Sequence, residues 1–364
     1  MRSNKYISIV VLLVFAALVA TSCRKDKNPY DKIGDSGLTQ RTENLRNNLF
    51  AFEQKGVMLG QMYGTLEGIG WTGDSARSDL HEISNEWPAC VGYELSGIEQ
   101  GKRVNTDSLG FSAIKRDIIS YFQHQGLVVI NWTAPNPGPD ACDEDSPAGQ
   151  RLKEWAGKVA AFVSSLQDDY GIKVPVVLAL YPQNGTSWYT KLSADDYKQL
   201  YGNTVNWLRD DNNLTNALFA YNTVYMDNSV DKTMSYCPED DIDLVQLTYF
   251  TDNYNGYAQQ LLNATRQMAS RCVTDMKAFG VLTGVKRMGN DTGFWTKSIL
   301  PALLNSRISY LMMGRNHGDF NQGNYYAPYP GSKMVADLIT LCNHPHVLTM
   351  SKVNGLLINQ SGKK

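Results

Sequence analysis

The side chains able to move protons are spread along this chain rather than gathered in a motif. Asp140, Asp143, Glu144 and Asp145 crowd one polar stretch, NPGPDACDEDSP (136–147), while Glu67, Glu94 and Asp252 stand singly near the ends of apolar runs. Two of these meeting across a cleft would make an acid/base pair. A solvated acidic loop is the plainer reading of 140–145. A calcium-binding loop stays open, although the spacing is not that of a calcium hand. His317, His344 and His346 come late with no HExxH to join them, which fits surface or structural histidines. Cys90, Cys142, Cys237, Cys272 and Cys342 show no CxxC and no zinc spacing. Five is odd, so at least one is free or paired outside the chain; one disulfide is open in an exported protein, and none is required at this size. No GxGxxG follows a strand and no GxxxxGK pair with Ser or Thr occurs, so dinucleotide and P-loop chemistry are weakly supported. Neither metal nor cofactor is expected.

The elements that would position these groups read as one repeating pattern. Apolar runs VMLGQMY, LVVINW, VPVVLALY, ALFAYNTV, DLVQLTYF, KAFGVLTG and ISYLMMG look like strands, with a short one in ACVGYEL. Helices are predicted over 41–56, in DSARSDLHEIS with Asp74 or Ser75 near the start, and in SLGFSAIKRDIISYFQHQG up to Gly126. Further helices are predicted in PAGQRLKEWAGKVAAFVSSLQDDYG, after the cap candidate Ser193, around 254–272 and 291–304, and near 331–342. Strand and helix alternate about every 30 to 45 residues, and the strands are near-continuous apolar runs, as in a parallel sheet covered on both faces. Seven or eight strands over about 310 residues suit an α/β (β/α)8 TIM barrel, in which the acidic stretch 136–147 is a loop of the active face.

Composition sets the outer limits. Among 364 residues, 34 are basic and 36 acidic, a net charge of −2 that argues against nucleic acid as a partner. Hydrophobic residues make up 43%, enough for a full core, and charged residues only 19%, too few for long coiled coils. At the amino terminus, Arg2 and Lys5 precede the apolar run Ile7 to Val19, which ends in Ala20, Thr21 and Ser22 before Cys23. A basic flank, a short apolar core and small residues make a secretory signal. Cys23 directly after them resembles the lipobox of bacterial lipoproteins. The alternatives are an ordinary signal peptide or a short anchor with a chance cysteine, though 13 apolar residues are few against the roughly 20 of a span. The division is then a signal peptide over 1–22, a lipidated Cys23 with a polar tether over 23–40, one barrel over 41–355 and a tail over 356–364. The expected location is the cell envelope, as an outer-membrane lipoprotein of a gut-type Gram-negative bacterium.

Six blocks resemble glycoside hydrolase family 26, the β-mannanases. They are GQMYGTLEGIGWTGDSARSDLHEISNEWPACVGYELSGIE (60–99), GLVVINWTAPNPG (126–138), VVLALY with PQNGTSWY (176–189), CPEDDIDLVQLTYF (237–250), KAFGVLTG (277–284) and MMGRNHGDFNQGNYYAPYPG (312–331). Their order and spacing match over about 50–350. The resemblance implies a retaining barrel enzyme with two catalytic glutamates, about 5–5.5 Å apart. This chain departs at the positions that matter. Tyr181 and Pro182 stand where the family has His and its acid/base Glu, a register set by Asn184 and Gly185. Thr283 stands at the nucleophile position, or Gly284 if the register shifts by one. Thr133 replaces a substrate-binding His, and Gly314 replaces a Trp that packs under the sugar.

Proline has no proton to give, so the family's ordinary chemistry is not expected. What the resemblance leaves is a sugar-binding cleft. Aromatic faces beside amide donors suit pyranose rings. The candidate ligand contacts are Trp71, Trp132, Thr133, Tyr181, Asn184, Trp188, Tyr189, Tyr249, Arg315 and Tyr325, with Phe250, Tyr326, Gln61, Asn131, Gln183 and Gln246 nearby. For each aromatic the alternative is packing within the barrel rim, and Arg315 can equally brace loops. Three functions follow. The first is a non-catalytic surface protein that holds β-mannan, glucan or a similar polysaccharide near envelope transport or hydrolase partners. The second is an endo-acting glycoside hydrolase with relocated carboxylates. The third is an envelope scaffold with no glycan ligand.

Overall fold

The computed structural model describes residues 32–73, 77–251, 256–285, 292–320 and 325–358. The expected signal segment, the Cys23 lipidation site, the cap candidates Asp74 and Ser75, Asp252 and the end of the tail lie outside these ranges.

Eight parallel strands close on themselves. In chain order the strands are β1 (Val57–Met62), β2 (Glu67–Gly68), β3 (Trp71–Thr72), β4 (Cys90–Glu94), β5 (Leu127–Trp132), β6 (Val176–Leu180), β7 (Ala217–Thr223), β8 (Leu244–Thr251), β9 (Ala278–Val285), β10 (Tyr310–Met313) and β11 (Val347–Leu348). The sheet runs β10-β9-β8-β7-β6-β5-β4-β1, and β1 also pairs with β10, through Leu59 opposite Leu311. β1 meets β4 on its other side, with Gly60 opposite Cys90. Helices cross between the strands, the longest being Pro147–Ser164 and Tyr257–Thr274. This is the (β/α)8 TIM barrel expected from the alternation of elements. β5, β6 and β7 are buried at every position, which is why they read as unbroken apolar runs.

Local chemistry sets the element ends. Ser146 and Ser193 cap their helices by accepting from Gly149 N and Asp196 N, as the sequence suggests for Ser193. The first described helix, Gln40–Phe52, is shorter than the expected 41–56. Glu53 is its C-cap, and the turn that follows leads into Gly56, at φ 150°, where a Cβ would lie 2.5 Å from the His346 carbonyl. The helix after β3 begins at Asp79 rather than near 74, and the helix expected over 291–304 is a π-turn, Phe294–Ile299, followed by Leu300–Leu304. Asp337 holds that turn by accepting from Trp295 N (2.6 Å) and Thr296 Oγ1 (2.5 Å). Among the described elements the sequence does not reveal are the β2–β3 hairpin, whose strands have two residues each, β11, and the short helix Val230–Ser235.

Several polar side chains inside the barrel are paired with one another. Tyr310 lies across Gly280 of the neighbouring strand, where a Cβ would come within 2.1 Å of its ring. Its hydroxyl donates to Gln246 Oε1 (2.7 Å). Asn222 donates to Asn131 Oδ1 (3.3 Å) and accepts from Thr248 Oγ1 (2.6 Å), joining β5, β7 and β8. Gln61 reaches the Gly314 carbonyl at 3.5 Å. The five described cysteines are free. Among the described residues no helix is long and apolar enough to cross a membrane.

Candidate functional site

The C-terminal ends of the barrel strands carry the loops, so the mouth is built from what ends each strand. On the β4–β6 side the side chains are already paired. Trp132, the last residue of β5, has no exposed surface and donates from Nε1 to Glu99 Oε2 (3.1 Å). Its ring lies 5.6 Å from that of Tyr181, which is equally enclosed, has φ 48° and shares a hydrogen bond with Thr204 Oγ1 (2.7 Å). Thr133 donates from N (3.1 Å) and Oγ1 (2.9 Å) to the two oxygens of Glu94. Ser96 adds two more donors to the same carboxylate, at 2.9 and 2.6 Å. Glu94 keeps some exposed area, but protein groups surround its carboxyl. Desolvation therefore lifts its pKa above the usual carboxylate range, against the pull of the Ser96 and Thr133 bonds.

Pro182 follows Tyr181 and is buried. Asn184 is exposed and spends its side chain on its own loop, accepting from Thr186 N (3.0 Å) and Ser187 N (2.9 Å). Trp188 is half-buried and donates to the Ala134 carbonyl (3.1 Å), while Tyr189 is enclosed beside it at 5.5 Å. An open cleft of about 760 Å³ lies here, lined by Trp188, Asp140, Cys142, Asp143, Lys191 and Asp196 among others. Burial and the nearby Asp196 push the Cys142 thiol up to about 11. Asp143 accepts from Asp145 N (3.0 Å), and Ser146 Oγ donates to the Asp140 carbonyl (2.7 Å), so the acidic stretch is a self-bonded turn. Among the described residues no group of three or more His, Cys, Asp or Glu is placed to hold a metal ion.

Across the mouth, Thr283 is 2% exposed, donates to the Tyr249 carbonyl (2.6 Å) and hydrogen-bonds the Tyr257 hydroxyl (2.6 Å). Gly284 follows it, and both Gly284 and Gly314 lie under the rings of Phe250 and Tyr326. The Tyr249 hydroxyl donates to Gln260. Tyr325 is half-exposed and packs on Tyr329 at 5.2 Å.

The remaining candidates brace the rim. Arg315 bonds Glu67 (2.7 Å) and Asp107 (2.9 Å) and lies over the Tyr63 ring at 5.3 Å. It borders a cleft of about 540 Å³ with Thr72, Thr106, Ser108 and His317. Trp71 is 8% exposed and donates to Asp79 Oδ1 (2.8 Å); Asp79 Oδ2 accepts from Ile69 N (3.1 Å) and Asn316 Nδ2 (2.9 Å). Asn316 in turn accepts from Tyr326 N (3.0 Å) and Ala327 N (3.1 Å). One buried aspartate thus ties the hairpin to the loop after β10. The roles of Asp79 and Asp107 carry no sequence signal, because Asn316 and Arg315, which they hold, lie more than two hundred residues away along the chain.

Desolvation raises the carboxyls of Asp79, Glu53, Glu94 and Asp117, the last held by Tyr93 (2.6 Å) and Thr65 (2.8 Å). Their pKa values in the unfolded chain are about 4. Between there and the raised folded values the folded state holds more protons, so these groups stabilise it at low pH and lose that contribution as pH rises. Melting temperature is expected to be higher at pH 5.5 than at pH 8, with Asp117→Asn flattening part of the difference in thermal melts.

Comparison with known proteins agrees with the geometry. Residues 35–290 match the profile of glycosyl hydrolase family 26. A mannan endo-1,4-beta-mannosidase of Bifidobacterium adolescentis is 24% identical over 88% of this chain, which spans only 36% of that relative's length. A family 26 beta-mannanase from Bacteroides ovatus superposes with a TM-score of 0.83 at 26% identity, covering 89% of this chain and 98% of that one. A modular endo-beta-1,4-mannanase from Cellulomonas fimi gives 0.74 at 22%, over 89% of this chain and 78% of that one, a likeness of fold. With the profile matching more than two thirds of its residues and the barrel superposing almost end to end, this chain belongs to glycosyl hydrolase family 26.

Proposed function

We propose that this chain is a non-catalytic carbohydrate-binding protein that uses a family 26 barrel to hold a β-mannan or related polysaccharide. The observation that carries the reading is the pair of groups at the two catalytic positions implied by the family resemblance. Pro182 is buried and has no ionisable group, and Thr283 has its hydroxyl committed to Tyr249 and Tyr257. Double displacement needs a nucleophile and a proton donor. Mannan as ligand rests on the names of the relatives. Attachment through a lipid on Cys23, at the outer membrane of a Gram-negative cell, belongs to the same proposal and rests on the amino-terminal sequence.

A second reading, hydrolysis by relocated carboxylates, draws on Glu94. Its raised pKa at the end of β4 is what a proton donor needs. Against it, all four contacts to that carboxylate are donors from Ser96 and Thr133, which favour the ionised form.

The test is to titrate residues 24–364 against soluble β-mannans, β-glucans and xylans by affinity electrophoresis or calorimetry, while assaying the same mixtures for new reducing ends. Binding without products is expected, and Trp188→Ala should weaken it about 5- to 10-fold, the worth of one stacked ring. Products that vanish in Glu94→Gln would replace the first reading by the second. Neither binding nor products would favour an envelope scaffold.

A further inference from the structure

Two adjacent strand ends at the mouth are bare, and the same two rings cover both. A Cβ at Gly314 would lie 2.7 Å from Tyr326 Cγ and 2.8 Å from Phe250 Cε1; one at Gly284 would lie 2.9 Å from Tyr326 Cδ1 and 3.3 Å from Phe250 Cε1. Neither glycine has a positive φ, so the backbone does not call for glycine here. The rings do. Phe250 and Tyr326 pack edge to face, 5.1 Å apart at 70°. Their lower sides fill the space above the glycines, yet Phe250 stays 39% exposed and Tyr326 is half-exposed. The Tyr326 backbone is pinned by Asn316, so the pair is set before any ligand arrives.

We propose that Phe250 and Tyr326 form the stacking floor on which a pyranose ring of the bound polysaccharide rests. They stand in the volume that larger side chains at 284 and 314 would otherwise take. This rests on the glycan-binding reading above and names where the sugar sits. In the same loop as Tyr326, Phe320 (58% exposed) packs on Tyr329 at 6.0 Å and Tyr329 on Tyr325, a second aromatic group.

The test compares the wild type with Phe250→Ala, Phe250→Leu and Phe250→Trp, each checked by thermal melting, in calorimetry against glucomannan, galactomannan, mixed-linkage β-glucan and xylan. Leucine keeps apolar bulk over the two glycines but has no flat face. Expected is a loss on the order of 10-fold or more in both the alanine and leucine variants, with tryptophan within about 3-fold of the wild type. If the wild type binds and Phe250→Leu binds equally well, the stacking floor is overturned while glycan binding stands. Tighter binding by Phe250→Ala would mark the ring as an obstruction and also overturn it. A wild type that binds none of the four overturns both readings.

Discussion

Placing glutamate at position 283 is expected to cost stability and to give no hydrolysis. Thr283→Glu should lower the melting temperature by about 6–20 °C, and Pro182→Glu combined with it should release no new reducing ends from β-mannan. Thr283 is 2% exposed and wedged between the Tyr249 carbonyl and the Tyr257 hydroxyl. A glutamate there buries a charge with no cationic partner, which costs about 3–5 kcal/mol. Each kcal/mol moves the midpoint by about 2–4 °C in domains of roughly this size. Burial raises the pKa of such a carboxyl, so protonation relieves part of this cost, and the protonated acid is no nucleophile. On the opposite wall, Tyr181 at φ 48° sets the backbone entering Pro182, so a new side chain inherits an enclosed position. A double variant that melts like the wild type and cleaves mannan would refute this account of the site.

Asp79→Ala is the second large effect. It leaves three donors without their acceptor: Ile69 N, Trp71 Nε1 and Asn316 Nδ2. Each buried orphan costs about 1–3 kcal/mol, with partial relief where Asn316 still reaches the Ala327 carbonyl. A loss of about 3–5 kcal/mol is expected, with faster amide exchange in the β2–β3 hairpin and at 326–327. Asp79→Asn recovers little, because either amide orientation turns its NH2 toward a donor. On the proposed glycan-binding reading, affinity falls with both variants, since Asn316 also holds Tyr326. A hairpin whose exchange stays at the wild-type rate in Asp79→Ala would show that the aspartate is not what ties the rim together.

The barrel was legible because its strands are buried on both faces. Leu127–Trp132, Val176–Leu180 and Ala217–Thr223 are apolar at nearly every position, and solvent exclusion leaves that record in composition. Helix starts were legible where a serine caps its own chain, as at Ser193. Elements of two residues left no period to read, and the Phe294–Ile299 turn depends on Asp337, more than forty residues later in the chain.

At the mouth the division is sharper. Residue type alone determined that position 182 carries no acid and that the strand ends at 283 and 284 carry no carboxylate, for a missing functional group is a property of the sequence. Which aromatics face outward was decided only by packing. Trp132 and Tyr181 look like sugar platforms in the sequence, yet both are fully enclosed, whereas Phe250 keeps an open face. Arg315 reads in the sequence as a ligand contact or as a brace for loops, and in the fold two carboxylates hold it. Exposure and pairing depend on which groups the closed barrel brings together from Tyr63 to Tyr326, and local sequence has no term for neighbours so far apart.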